Sequence, residues 1–314
     1  MLPYYFHVIA NETAGSFQGK KTTQRIIAYL TAKGSAFHLE KTQYPKHATL
    51  LAQNINPLKD AYQHIVLVIG GDGTLHQVIK GLLANQHTAS PIPIGYIPSG
   101  TGNDFSRGVN LGKDPIENMK LIETTRQARE LDVGVMTDPK SETSVFINNL
   151  GIGIDARTVF LTNRSKAKAF LSRLKMGSMS YLANLLKAYR QQKTFNITFR
   201  QNNKTYAFND IFLVTFGNEP YFGGGVPILP NANVTNHLID LILVEKMSFA
   251  KLVPLFYKML TDGSHLKNER VHYFQSAAFH LKTDRKEYGQ IDGEELGFQQ
   301  FDYKISLTQY PFWF

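Results

Sequence analysis

Hydrophobic positions in the first 135 residues come as short β-branched runs separated by amphipathic stretches. Tyr5–Ala10 reads as a buried strand and is followed by a polar turn over Asn11–Gln18. Ile26, Ile27 and Leu30 then share one helical face, with Gly34 placed as a C-cap. Ala36–Lys41 predicts a second short strand. The continuous run Ile65–Ile69 predicts a strand covered on both faces. Gly70–Thr74 turns the chain into a helix over Leu75–Ala84, and Ile94–Ile97 is a further strand running into Pro98-Ser99-Gly100-Thr101-Gly102. Repeated strand–loop–helix units with glycines at the strand ends predict an α/β domain over residues 1–135.

The pattern changes over residues 136–302. Thr194–Phe199 and Tyr206–Phe208 flank Gln201–Lys204, a hairpin signal. Phe212–Phe216, Leu238–Val244, Val271–Leu281 and Tyr303–Leu307 are further β-rich segments, with helices expected near Lys168–Tyr189 and Phe249–Leu260. This half predicts a mostly antiparallel β domain packed beside the first, with a cleft between the two. No internal repeat, low-complexity tract or long linker interrupts the chain.

Composition narrows the picture. A chain of 314 residues, 43% hydrophobic, has ample material for two cores. The sequence has no cysteine, which excludes disulfides and thiolate metal sites and is consistent with an intracellular, reducing setting. Met1–Ala10 lacks the basic-then-apolar pattern of a signal peptide. A membrane span needs roughly 20 apolar residues, and no run approaches that, so a soluble or at most peripheral protein is expected. The formal charge of +9 suits anionic partners without choosing among nucleotide, nucleic acid and membrane surface. No nucleic-acid recognition motif is present. The histidines show no metal-ligand spacing, so no zinc site is expected.

Two loops carry the chemistry. Gly70-Gly71-Asp72-Gly73-Thr74 follows a strand and opens a helix, where glycines let backbone N–H groups approach phosphates and the helix N-terminus favours negative charge. Asp72 would repel a phosphate unless a cation or its water shell stood between them, a position that suits Mg²⁺. The alternative is a glycine turn with Asp72 as an N-cap. Ser99-Gly100-Thr101-Gly102-Asn103-Asp104-Phe105 repeats the design at a neighbouring strand end, where open α/β sheets bind ligands. A Walker A loop does not fit, since Gly15-Ser16-Phe17-Gln18-Gly19-Lys20-Lys21 has three residues between its glycines and no hydroxyl after the lysine. Nor does the dinucleotide fingerprint follow the first strand.

Together these motifs resemble the bacterial diacylglycerol kinase-type lipid kinases, a family similar to sphingosine kinases. The resemblance runs over nearly the whole chain. It includes Asn11 with Ala14-Gly15, Leu131-Asp132-Val133-Gly134, Asn149, Gly151, Gly153, Asp155 and Ala156, Gly217-Asn218, Gly223-Gly224-Gly225, Pro230 and Asp292-Gly293-Glu294. The first glycine motif alone is shared with NAD kinases.

The resemblance implies a Rossmann-like NAD kinase/diacylglycerol kinase-type α/β domain over 1–135, rejoined by the C-terminal segment 303–314. It also implies a β-sandwich lipid-substrate domain over 136–302, with the active site in the interdomain cleft. By resemblance, ATP contacts fall on Asn11, Ala14, Gly15, Thr42, Gly70, Gly71, Asp72, Gly73, Thr74, Leu75, His76, Gly100, Thr101, Gly102 and Asn103. Asp72, Asp104 and Asp132 would hold hydrated Mg²⁺, and Glu294, beside Asp292, would take the lipid hydroxyl proton. For Glu294 the residues alone favour a surface turn at Asp292-Gly293. The implied activity is ATP- and Mg²⁺-dependent phosphorylation of diacylglycerol or a related lipid alcohol by a cytoplasmic, peripherally membrane-associated enzyme, with a homodimer expected. The alternatives are an NAD kinase-like small-molecule kinase and a non-catalytic nucleotide- or lipid-binding homologue.

Three positions depart from the family pattern. Glu12 stands where a proline is usual, and Gln77 replaces a glutamate after the first glycine loop. Asn236 replaces the aspartate of a structural Mg²⁺ site whose other ligands would be the carbonyls of Asn233 and Leu238. A hard cation prefers anionic oxygen, so this second site is expected to be weak or absent. Arg157, Arg164, Lys166, Lys168, Arg173 and Lys175 surround Phe170, Leu171 and Leu174, which suits either a solvated helix face or anionic lipid headgroups. Tyr310–Phe314 is expected to pack on the core rather than insert at an interface.

Overall fold

The structure is a computed structural model that describes residues 2–58, 60–164 and 187–314. Two compact units emerge, Met1–Asp132 with Gln309–Phe314, and Val133–Thr308.

In the first unit, β1 (Tyr4–Ala10), β2 (Ala36–Lys41), β3 (Gln63–Gly70) and β4 (Ile94–Pro98) form a parallel sheet in the order β2-β1-β3-β4. Ile65–Ile69, the continuous apolar run, is fully buried in β3, as a strand covered on both faces should be. The helices are α1 (Ala14–Ala32), α2 (His47–Gln53), α3 (Asp72–Leu83), α4 (Asp104–Gly108) and α5 (Pro115–Thr124). Gly34, at φ +67°, ends α1: its N–H donates to Thr31 O and that of Ser35 to Leu30 O, the pairing that satisfies a helix's last carbonyls. Asp114 caps α5 by accepting from the N–H groups of Ile116 and Glu117, ahead of Pro115.

The terminal residues complete this sheet. Phe312 pairs in parallel with Ile94, the Trp313 indole donates to Ile122 O at 3.1 Å and the Tyr310 hydroxyl to Ile92 O at 3.0 Å. Tyr310, Phe312, Trp313 and Phe314 are all buried, so the aromatic tail is core. The return begins at Gln309 rather than 303 because Tyr303–Ile305 pair antiparallel with Phe279–Leu281 in the second unit.

The second unit is antiparallel. β5 (Arg129–Thr137) enters it and pairs with β6 (Thr143–Phe146). β7 (Asn149–Gly153), β8 (Phe195–Gln201), β9 (Lys204–Gly217), β10 (Ile239–Glu245), β11 (Val271–Ser276), β12 (Phe279–Ile291) and β13 (Glu294–Phe312) follow, in the order β11-β10-β9-β7-β12-β13. β8 pairs with both β9 and β12, so the sheet closes on itself. Phe146, Leu150, Phe199, Phe216, Leu241, Leu281 and Phe301 fill the core inside. Among the described residues of this unit, α6 (Ile154–Arg164) and α7 (Phe249–Thr261) are the longer helices. Leu255 and Met259 of α7 pack on the opposite face of β9 and β10, against Phe212, Ile242 and Val244.

Two details differ from the sequence reading and one agrees with it. Lys204–Gly217 is one strand, with Asp210 at φ +56° marking an irregularity before Phe212–Phe216. Val271–Leu281 is two strands, since the Ser276 hydroxyl accepts the Ala278 N–H and the chain leaves β10 to pair with β13. The Asn202-Asn203 turn has positive φ at both residues, matching a two-residue hairpin. Of the helix expected over Lys168–Tyr189, residues 165–186 lie outside the described residues; residues 187–191 are helical.

Candidate phosphate-binding loops and acceptor site

Three loops of the first unit meet backbone to backbone. A Cβ on Gly15 would stand 2.4 Å from the Ser99 carbonyl oxygen, and one on Gly100 would stand 2.6 Å from the Gly71 Cα. Only glycine permits these approaches, which bring Asn11–Gly15, Gly70–Thr74 and Ser99–Asn103 into one neighbourhood. Asn11 stitches two of them, its amide donating to Thr74 Oγ1 at 3.1 Å while its own backbone N–H reaches Ile69 O. The Asn103 side chain closes the second glycine loop, accepting from Gly100 N at 2.8 Å and donating to Gly100 O at 3.1 Å. Gly73 and Thr101 are exposed, while Leu75 and His76 are buried. Ala14 N–H donates to Asn11 O, and Thr42 N–H to Ala10 O at 2.9 Å, which sets Thr42 beside the end of β1.

The sequence did not show how the chain enters α1. Gly15, Ser16 and Phe17 all lie in the left-handed region, at φ +58°, +55° and +71°. For Ser16 and Phe17 such a backbone costs about 1–3 kcal/mol each, strain that collects at ligand-binding turns.

Asp72 is not the N-cap of its own helix, a role taken by Gly71. Its carboxylate instead accepts from the N–H of Asp104 at 2.9 Å and of Phe105 at 3.3 Å, locking the two glycine loops together. The Asp104 carboxylate is buried and takes the Arg107 guanidinium at 2.6 Å. Both carboxylates act on the buried Tyr96 hydroxyl, whose pKa is raised by burial first and by Asp72 and Asp104 next. Asp132 is also buried. Among the described residues no three Asp, Glu or His side chains converge as direct metal ligands. Asp72, Asp104 and Asp132 offer hard anionic oxygens, the donor type that suits Mg²⁺ held through its water shell.

The departures acquire partners. Glu12 pairs with Lys41 at 2.9 Å, which compensates its charge beside the loops. In Asn233–Leu238, Asn236 Oδ1 accepts the Leu238 N–H at 3.0 Å and Asn233 Oδ1 takes Thr235, so neutral groups form local turns there. Arg157 donates to Gln192 and lies over the Tyr288 ring, and Arg164 pairs with Glu295 at 2.7 Å. Lys166, Lys168, Arg173 and Lys175, with Phe170, Leu171 and Leu174, lie outside the described residues.

In the second unit, Asp292-Gly293 is the two-residue turn joining β12 and β13, with φ +47° and +83°. Its carboxylate accepts three backbone N–H groups, from Ile147 at 2.8 Å and from Asn148 and Asn149 at 2.9 Å each. Asp292 is therefore anchored, and it fixes the hairpin on which the half-buried Glu294 follows. Behind the turn lies a buried network: the Gln290 amide donates to Asn149 Oδ1 and Asp155 Oδ2, and Gln290 Oε1 accepts the Gly293 N–H at 2.8 Å. Burial pushes the Asp155 carboxyl up to about 6, offset in part by the Gln290 hydrogen bond. Gln290 carries no motif and is distant in the chain from Asn149 and Asp155, so only folding reveals this link.

Asp155 also lines a cavity of about 290 Å³ that is otherwise apolar apart from His265, walled by Phe212, Ile228, Ile242, Leu255 and Met259 among others. Every lining residue belongs to the second unit.

Comparison with known proteins agrees with this fold. Residues 5–136 match the diacylglycerol kinase catalytic domain, and residues 148–306 the YegS C-terminal NAD kinase beta sandwich-like domain. The chain belongs to the diacylglycerol kinase-type lipid kinase family. A Bacillus subtilis (strain 168) protein named "Putative lipid kinase YtlR" is 30% identical, with 96% of each chain covered. A diacylglycerol kinase of Staphylococcus carnosus (strain TM300) is 25% identical over 92% of this chain and 88% of that one. In fold, the crystal structure of a diacylglycerol kinase from Bacillus anthracis str. Sterne superposes with a TM-score of 0.69 at 20% identity, covering 99% of this chain and 96% of that chain.

Proposed function

We propose that the protein transfers the γ-phosphate of ATP to the hydroxyl of diacylglycerol or a related lipid alcohol, giving phosphatidic acid or its analogue. The apolar cavity of the second unit carries the lipid half of this reading, since a volume of about 290 Å³ with so few polar groups suits hydrocarbon rather than a soluble, charged acceptor. The nucleotide half rests on the packed glycine loops, whose backbone N–H groups and α3 N-terminus suit phosphate oxygens.

Mg²⁺, when bound, neutralises phosphate charge. Asp72, Asp104 and Asp132 would hold its water shell, and the loops would fix the phosphate chain. Glu294 accepts the proton as the lipid oxygen bonds to the γ-phosphorus, and the bond from that phosphorus to the bridging oxygen breaks to release ADP. Asp292 acts as a positioning residue through its three amide contacts.

The test is transfer of labelled phosphate from ATP, with and without Mg²⁺, to a panel of lipids in mixed micelles, with NAD in a parallel reaction. Labelled phosphatidic acid or another lipid phosphate is expected. Label in NADP alone, or in no product, would sink the reading.

A further inference from the structure

Helix α7 has a composition that its packing does not explain. Its inner side is ordinary, with Leu255 and Met259 buried against β9 and β10. Its outer side exposes Phe249, Val253, Phe256, Tyr257 and Leu260, at 46, 53, 42, 68 and 48% of their surface. At 3.6 residues per turn these five fall within roughly 100° of arc. Exposed large apolar side chains scattered singly are ordinary; five on one face of one helix mark a contact surface.

The same helix is a wall of the apolar cavity, through Leu252, Leu255, Phe256 and Met259. Phe256 belongs to both surfaces, and exposed Gly223 also lines the cavity, so the cavity reaches the surface beside the apolar face.

Resting on the lipid-acceptor reading, we infer that helix α7 docks the protein on an anionic bilayer, placing the cavity mouth against the hydrocarbon from which the acceptor's chains enter. Two features favour a bilayer over a second protein. Residues 246–270 carry five Lys or Arg against two Asp or Glu, a basic balance that complements anionic headgroups, and exposed Lys251 and Lys258 stand roughly 100–120° around the helix from the nearest edge of the apolar arc. Continuity between the apolar face and an apolar cavity is of use to a lipid leaving a membrane and of none to a protein partner.

Sedimentation with vesicles of phosphatidylglycerol and phosphatidylcholine, against phosphatidylcholine alone, tests this. The wild-type chain is expected to bind the anionic vesicles, less so at high salt. Combined Val253→Ser, Tyr257→Ser and Leu260→Ser should weaken partitioning about tenfold or more with the melting temperature unchanged. Lys251→Glu with Lys258→Glu should reduce the preference for anionic vesicles by lowering the positive charge near the face, a second arm that holds if the triple variant does not fold. Binding unaffected by both sets overturns the inference, as does a wild-type chain that binds no vesicle. A wild-type dimer that the serine variant dissolves also overturns it, by assigning the face to a second copy. Wild-type phosphorylation of a short-chain diacylglycerol dissolved as monomers is measured separately. Its failure removes the kinase reading and leaves the vesicle result standing.

Discussion

The side chain of Asp72 accepts the backbone N–H of Asp104 at 2.9 Å, and that of the following residue, Phe105, at 3.3 Å. One carboxylate thus supplies the first turn of α4 with acceptors while sitting in the first turn of α3. Loss of this side chain should loosen the second glycine loop as well as remove a charge. Asp72→Ala is expected to cost about 1–2 kcal/mol of stability, as loss of a helix cap does. It should lower turnover by about 10²-fold or more, the usual effect of misplaced phosphates. Asp72→Asn, which keeps an acceptor oxygen, should recover stability without recovering turnover. Chemical denaturation and the lipid phosphorylation assay separate the two effects.

Glu294→Gln keeps the size and hydrogen-bonding capacity of the side chain and removes the base. Turnover should fall by about 10²–10⁴, the range for general-base catalysis, with ATP affinity unchanged. Fluorescent nucleotide titration alongside the activity assay decides it. Full activity in this variant would show that another group takes the proton.

Asp292→Ala should act through folding. Three amide N–H groups lose their acceptor, at a combined cost of about 2–4 kcal/mol. A lowered melting temperature is expected, and Asp292→Asn should restore part of it. Unchanged stability would mean that water replaces the carboxylate without penalty.

Asp155 gives a pH signature. Its folded pKa is raised from 3.8 to about 6, chiefly by burial, so the fold holds it protonated where the unfolded chain ionises it. This contribution is fully present below the unfolded value and is lost as pH rises through the folded one. The loss amounts to about 3 kcal/mol at 1.36 kcal/mol per unit. Asp240, also raised to about 6 by burial, has the same sign. Asp155→Asn should remove one of the two contributions, so that its stability relative to wild type improves between about pH 4 and pH 7. Urea denaturation across that range reads the difference, and parallel curves would place the Asp155 pKa near its ordinary value.

Much of the candidate site was legible because it is local. Gly70–Thr74 and Gly100–Phe105 each place glycines, a hydroxyl or amide and an aspartate within a few residues of a strand end, and chain connectivity alone aims them at one edge of the sheet. Asp292-Gly293 was legible as a turn for the same reason, since only certain residues accept positive φ at both positions. The left-handed run at Gly15–Phe17 was not, because Ser16 and Phe17 adopt it against their own preference. Beside them Gly15 stands against the Ser99 carbonyl, which belongs to another loop.

The sequence by itself determined the α/β unit, the antiparallel unit, the buried character of β3, the two glycine loops and a helix near Phe249–Leu260. Periodicity, turn chemistry and strand-end glycines act over a few residues, and the chain carries them wherever it goes. Tertiary structure alone decided that Asp72 serves the loop of Asp104, that Asp292 is held by three amides, and that Gln290 joins Asn149 to Asp155. It also decided that α7 walls an apolar cavity while leaving five large side chains outside. Each of these joins residues far apart in the chain, and a hydrogen bond or a cavity between such residues exists only once packing has fixed both sides.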